Sequence, residues 1–263
     1  MGPRCGATMI GMDMIRIEDV ERATLAAVCP AAVEELPGWL LGLDPGTVGR
    51  AHSAVPLRHS APDDAMLALI EARYRAHGLS PAFRLPRVAS FERFRAMLKP
   101  RGYAAVQPTQ VMTGTAGAMR QRFRSEGVTL APAPDAAWSA VFLGEGFDPV
   151  DGAHRVRLLS QAEGAVFASV RRDDGVVAAG VGCFSHGWAS VHGMRTALAH
   201  RGQGHAGRIL AALAEEAHAR HIDSVFLQVD AANGAALALY RRADFTGAWT
   251  YDYWRPSSAR PAA

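Results

Sequence analysis

The chain has 263 residues, 28 Lys and Arg against 25 Asp and Glu for a formal net charge of +3, and 49% hydrophobic residues. That length suits one large domain or two modest ones with a proper core, and the absence of a basic block or a long apolar run argues against nucleic acid and membrane as partners. Cys5, Cys29 and Cys183 are scattered without a C-x-x-C pair and the histidines form no H-x-x-x-H pair, which points to reduced thiols, no metal site and a cytoplasmic setting.

Met1, Met9, Met12 and Met14 crowd the N-terminus, leaving the true start open, and residues 1–13 read as a loose tail. A helix is expected over 17–29, then strands over 39–43 and 48–55 joined by a turn at Asp44-Pro45-Gly46. Residues 64–77 read as a helix, 83–85 as a short strand, 91–99 as a second helix and 103–112 as a terminal strand. The helix over 64–77 opens on Pro62-Asp63-Asp64, with no glycine nearby. Two carboxylates suit the positive end of a helix and fill with like charge any seat for an anion. The Pro- and Gly-dotted stretch 113–134 reads as a connection, with a candidate strand at 128–130.

In the second half Asp135 looks like the N-cap of a helix over 136–145. Residues 165–172 alternate as a strand, Asp173-Asp174-Gly175 is a hairpin turn, and strands follow over 176–185 and 188–196. Then comes Arg201-Gly202-Gln203-Gly204-His205-Ala206-Gly207, opening an amphipathic helix over 206–220. Glycines bring backbone amides within reach of a bulky anion, and the helix start leaves its first N–H groups free to hold one. No Lys-Ser/Thr follows and the spacing is not G-x-G-x-x-G, so neither a Walker loop nor a dinucleotide fingerprint fits. Residues 224–229 read as a buried strand. The helix over 233–242 gathers Asn233, Ala236, Leu237 and Tyr240 on one face, and 246–254 is a final aromatic strand region.

R-G-x-G-x-A opening a helix, then a strand, then N-x-x-A-x-x-L-Y with an aromatic soon after, resembles the GNAT superfamily of acyl-CoA-dependent N-acetyltransferases over about 196–245. The order of elements in the first half echoes the second, with Gly102-Tyr103 standing where Asp244-Phe245 stands later. The expectation is an α/β chain of tandem GNAT-like folds, with a mixed, mostly antiparallel sheet flanked by helices. A degenerate unit over 14–125 lacks the cofactor loop, and 126–263 is the catalytic unit. Two residues depart from the family pattern, Leu198 where proline is frequent and Asp244 where glycine is.

The resemblance implies an N-acetyltransferase that carries an acetyl group from acetyl-CoA to a primary amine on a small molecule or peptide, by direct attack. Cofactor contacts fall to Arg201, Gly202, Gln203, Gly204, His205, Ala206 and Gly207 at the diphosphate. Backbone groups of Met194, Arg195 and Thr196 take the pantetheine arm, and Asn233 and Tyr240 lie beside it. Tyr240, a phenol with a free pKa of about 10, is the candidate proton donor to the departing thiolate. His192 is the first candidate base, placed by strand alternation on the face of Met194 and Thr196. Glu145, Asp148, Glu163 and a water chain stay open as alternatives. So do a different acyl-CoA donor and a non-catalytic acyl-CoA-binding role. The acceptor and the oligomeric state stay unread.

Overall fold

The computed structural model describes residues 16–173 and 175–257; the expected tail over 1–13, Asp174 of the hairpin turn and the stretch beyond 257 lie outside the described residues. The first half folds as helix α1 (Ile17–Val28), strands β1 (Ala32–Leu36), β2 (Trp39–Leu43) and β3 (Ser53–Pro56), helix α2 (Ala65–Ala76), strand β4 (Phe83–Pro86), helix α3 (Glu92–Leu98) and strand β5 (Tyr103–Thr115). Helix α4 (Ala116–Arg122) ends the first half, and the second continues with strand β6 (Val128–Ala131), helices α5 (Ala136–Ala140) and α6 (Pro149–Leu159), and strands β7 (Val166–Arg172), β8 (Gly175–Ser185) and β9 (Trp188–Thr196). Helix α7 (His205–Ala219), strand β10 (Ser224–Asp230), helix α8 (Gly234–Arg242) and strand β11 (Thr246–Pro256) complete it.

The structure departs from the sequence reading at four places. Residues 48–55 are not one strand. Buried Asp44 takes the amides of Gly46 (2.7 Å) and Ala31 (3.3 Å), and a turn closed by the Ala51 N–H on the Val48 carbonyl (2.9 Å) delays pairing until Ser53. The helix expected over 136–145 stops at Ala140, short of Gly144 and the left-handed Gly146 (φ +82°). Helix α6 then starts afresh at Pro149, where an Asp148 oxygen accepts from the amides of Val150 (2.8 Å) and Asp151 (3.2 Å). The connection winds into α4, whose N-cap Thr115 accepts from the Ala118 amide (3.1 Å), and the edge strand β1 has no counterpart in the sequence reading.

All eleven strands form one sheet in the order β1-β2-β3-β4-β11-β5-β10-β9-β8-β7-β6. Among the described residues only β3·β4 and β9·β10 run parallel, at equivalent positions in the two halves. Each half lends its last strand to the other: β5 pairs with β10, β11 pairs with β4, and the two lent strands pair at the centre. The device that launches them is the same. A left-handed residue ends the helical segment, Gly102 (φ +81°) or Asp244 (φ +63°), and a buried aromatic follows, Tyr103 or Phe245. We keep 125/126 as the proposed division of the halves, though the sheet runs across it.

One face of the sheet packs Met112, Val191 and Leu227 against α4, α7 and α8 through Met119, Leu210 and Leu237. The other packs Val111, Phe226 and Tyr251 under α1 through Val20 and Ala23. Trp39, Phe83, Phe91 and Phe94 make a separate aromatic centre in the first half. Among the described residues no helix is long and apolar enough to cross a membrane.

Candidate functional site

The glycine loop folds as its composition requires. Gly202 (φ +77°) and Gly204 (φ +80°) are both left-handed, and nothing lies within 4 Å of where a β-carbon would stand on either. Gly204 is the N-cap of α7, and the first bond at that end runs from the Arg208 N–H to the Gly204 carbonyl (3.2 Å). The amides of His205, Ala206 and Gly207 therefore precede the helical ladder, with no acidic residue in the first turn to claim them. Arg201 turns its Nε back onto the Thr196 carbonyl (3.2 Å), and the Gln203 side chain donates to the Ala199 carbonyl (3.3 Å). The His205 ring is buried among its neighbours, and burial followed by the charges of Arg172 and Arg208 holds its pKa below the ordinary value. Gly207 has a further job: a β-carbon there would stand 2.6 Å from the Phe123 ring, so its bare Cα admits that ring against α7. In place of the frequent proline, Leu198 begins a single 3₁₀ turn, Leu198–His200.

The equivalent start in the first half is closed. An Asp63 oxygen accepts from the Ala65 amide (2.8 Å) and Asp64 pairs with Arg93, so carboxylates occupy the end of α2.

Strands β9 and β10 pair only from Ala189·Val225 to Val191·Leu227, then part, although β9 runs on to Thr196 and β10 to Asp230. At the parting β9 carries a bulge against β8, where Gly193 is left-handed (φ +57°) and the register slips between Ala179·Arg195 and Val181·His192. The extra residue breaks the alternation on which the shared face of His192 and Met194 was expected. Met194 lies beside Ile209 of α7, whereas His192 bonds Ser190 and faces Phe226 on the α1 side. They point to opposite faces. Arg195 also faces the α1 side, stacked on Phe147 (4.0 Å to the ring centroid), and burial lowers its pKa to about 10.

Helix α8 supplies Asn233 and Tyr240. Asn233 is the N-cap, its side-chain oxygen accepting from the Ala236 amide (3.1 Å). Tyr240 packs edge-on to Phe245, and its hydroxyl has no hydrogen bond to a described residue. Burial pushes its pKa up to about 12, with Arg50 pulling the other way. The phenol thus stays protonated through any neutral working range. The Asp244 departure also finds its reason here: a left-handed aspartate is tolerated, and both its oxygens accept from Arg122 of α4 (2.9 and 3.1 Å).

The residues that sequence reasoning missed lie on the α1 side of the parting. A cleft of about 340 Å³ opens there, lined by Arg50 from the 47–52 turn, Asp151 and Arg155 of α6, Gln228 and Asp230 of β10, and Arg255 of β11. Arg50 and Arg155 continue into a smaller hollow that reaches His192 and Gly193. Of the alternative bases, Asp148 is spent capping α6, and Glu145 and Glu163 are exposed.

Burial, with the charge of Arg50 added, lowers the His192 pKa from 6.5 to about 3. Its Nε2 contacts Ser190 Oγ (2.8 Å), whose hydroxyl donates to the Cys183 carbonyl (3.3 Å), so Nε2 carries the hydrogen and Nδ1 is a bare acceptor. Between those two pKa values the unfolded chain binds a proton that the native histidine refuses. Stability therefore falls as pH drops from about 6.5 toward 3, by up to about 1.4 kcal/mol per pH unit from this residue. Urea unfolding from about pH 7 to 5 should show a shallower decline for His192→Gln; parallel declines would contradict a buried neutral imidazole.

Over residues 15–254 the sequence matches the model of a family described as probable histone acetyltransferase Rv0428c, C-terminal. The fold is similar to a GCN5-related N-acetyltransferase from Kribbella flavida, with a TM-score of 0.65 and 17% identity over 95% of this chain and 98% of that one. It is similar also to a functionally unknown conserved protein from Staphylococcus epidermidis (TM-score 0.65, 13% identity, 87% of this chain and 95% of the other). A tandem GNAT protein from the clavulanic acid biosynthesis pathway covers 96% of its own length and 94% of this chain, at a TM-score of 0.59 and 12% identity. Identities this low speak for fold alone. No curated protein matches the sequence.

Proposed function

We propose, from the premise that this chain belongs to the Rv0428c C-terminal acetyltransferase family and has the fold of GCN5-related N-acetyltransferases, that it transfers an acetyl group from acetyl-CoA to a primary amine by direct attack. The observation that carries the reading is the parting of β9 from β10 beyond Val191 and Leu227. It has unclaimed helix amides on the α7 face and a polar cleft on the other. Donor and acceptor can approach from opposite faces and meet in the gap.

In this reading the amides of His205, Ala206 and Gly207 hold the diphosphate, and the open glycines Gly202 and Gly204 leave it room. Backbone N–H groups of the β9 end, around Met194 to Thr196, face the pantetheine arm and polarise the thioester carbonyl as negative charge develops on its oxygen. The amine nitrogen forms the new C–N bond and the C–S bond breaks. Tyr240 gives its proton to the leaving thiolate, and the nitrogen's surplus proton passes to water. His192, with a pKa near 3, serves as a hydrogen-bond acceptor toward the amine rather than as the group that carries its proton away. The substrate amine therefore has to arrive neutral. The first half contributes the turn that presents Arg50. We place the reaction in the cytoplasm, with Cys29 and Cys183 as free thiols.

Calorimetric titration with acetyl-CoA tests the donor, with one site per chain expected; no binding would sink the reading. For the chemistry, Tyr240→Phe should lower turnover about 100-fold while leaving acetyl-CoA affinity nearly intact. Unchanged turnover on the true acceptor would remove Tyr240 from the mechanism. Binding without turnover on any amine would mark a non-catalytic acyl-CoA-binding protein, and tighter binding of a longer acyl-CoA would mark a different donor.

A further inference from the structure

The α1-side cleft has an uneven balance of charge. Asp151 and Arg155 satisfy each other (2.5 Å), and the Thr47 hydroxyl also donates to Asp151 (2.9 Å). Asp230 accepts from the Ala232 amide (2.8 Å), and Arg255 lies over the Tyr253 ring (4.8 Å to the centroid). Arg50 differs from all of these. Among the described residues it has neither a hydrogen bond nor an ion pair, and its Nε is buried without a partner. A buried N–H left unpaired is costly, and the remainder of this half-buried side chain lines the cleft. At the inner end of the same cavity His192, 3% exposed, holds the bare and equally unpartnered Nδ1 described above. A cationic donor and a neutral acceptor thus stand together at the end of β9, both lacking a partner.

Those two groups call for a ligand with an anionic oxygen and an N–H close to each other. Resting on the acetyl-transfer reading above, we propose that the acceptor is a small amine with a carboxylate beside its amino group, of the α-amino-acid type. Arg50 would hold the carboxylate through its fork of N–H groups and His192 Nδ1 would accept from the amine N–H. The position suits the reaction, because Arg50 lines both the cleft and the hollow that reaches His192 and Gly193, where β9 leaves β10. A lysine side chain entering head first would bring no carboxylate to satisfy the unpaired arginine. The same turn and cleft assign the first half its part, which is acceptor recognition.

The test uses the full chain, acetyl-CoA and a thiol-release assay, comparing common α-amino acids with their carboxamides and with a lysine peptide blocked at its N-terminus. At least one acid should exceed its own carboxamide by about 30-fold or more in kcat/KM, although the carboxamide's amine is the less protonated of the two. Arg50→Gln should lower kcat/KM for the acid far more than for its carboxamide, collapsing the ratio between them, and Arg50→Lys should restore part of that ratio. Equal rates for acid and carboxamide, preference for the lysine peptide, or an acid-to-carboxamide ratio untouched by Arg50→Gln would each overturn the proposal. So would an unreactive panel in a protein that binds acetyl-CoA. Parallel calorimetry separates the two failures: absent acetyl-CoA binding defeats the acetyltransferase reading itself, whereas intact binding without carboxylate preference defeats only the acceptor assignment.

Discussion

Replacing Gly204 by aspartate is expected to reduce acetyl-CoA affinity at least about 100-fold, the largest single effect at the proposed cofactor site. Gly204 is left-handed (φ +80°) and caps α7, with open space where a β-carbon would stand. A side chain there costs about 1–3 kcal/mol of backbone strain but meets no neighbouring atom. Charge brings the larger penalty. Two unit charges about 4 Å apart interact by about 4 kcal/mol at an effective dielectric near 20, and each 1.4 kcal/mol is about tenfold in affinity. Gly204→Ala separates the two contributions, since it carries the strain without the charge. Calorimetry should show a modest loss for alanine and a near-complete one for aspartate. Equal losses would mean that the loop's conformation, and not its electrostatics, governs binding; no loss in either would remove this loop from the cofactor site.

The largest expected effect on stability lies far from the loop. Glu21 of α1 and Arg84 of β4 form an ion pair (2.9 Å) with both side chains at most 2% exposed. Arg84 Nε donates to Ser53 Oγ (3.2 Å), and its guanidinium lies over the Tyr251 ring (5.5 Å to the centroid). Burial pushes the Glu21 carboxyl above its usual range, with Arg84 opposing. Such a pair adds little net stability, yet breaking it leaves one charge sealed in the core. Glu21→Met or Arg84→Met alone should cost about 3–5 kcal/mol of unfolding free energy, and the double replacement much less. Urea unfolding of the singles and the double closes the cycle. Additive losses would show that the two charges do not depend on each other.

The parts of the site that were legible in the sequence are local. The 201–207 loop, α7, β10 and α8 could be read because glycines, a helical apolar period and a β-branched run each report the conformation of their own residues. The doubled architecture was legible from element order, since both halves repeat a helix, a left-handed stop and an aromatic that starts the last strand. Asp244 looked like a lapse from the family's glycine because its reason, Arg122, lies 122 residues away.

Amphipathic period and turn chemistry therefore determined most element types and the glycine loop at the start of α7, which depend on neighbours in the chain, while the motifs of 196–245 carried the resemblance to the family. Tertiary structure alone decided which strand lies beside which, because alternation specifies the faces of β5 and β11 and says nothing of their partners. It also decided that the Gly193 bulge turns His192 away from Met194. Finally, it decided that Arg50, inside a run with the composition of a strand, stands in a turn beside buried Asp44, which Arg157 of α6 engages from 113 residues away (3.3 Å), and faces the cleft. Each of these rests on contacts between residues distant in sequence, whose energies no local pattern records.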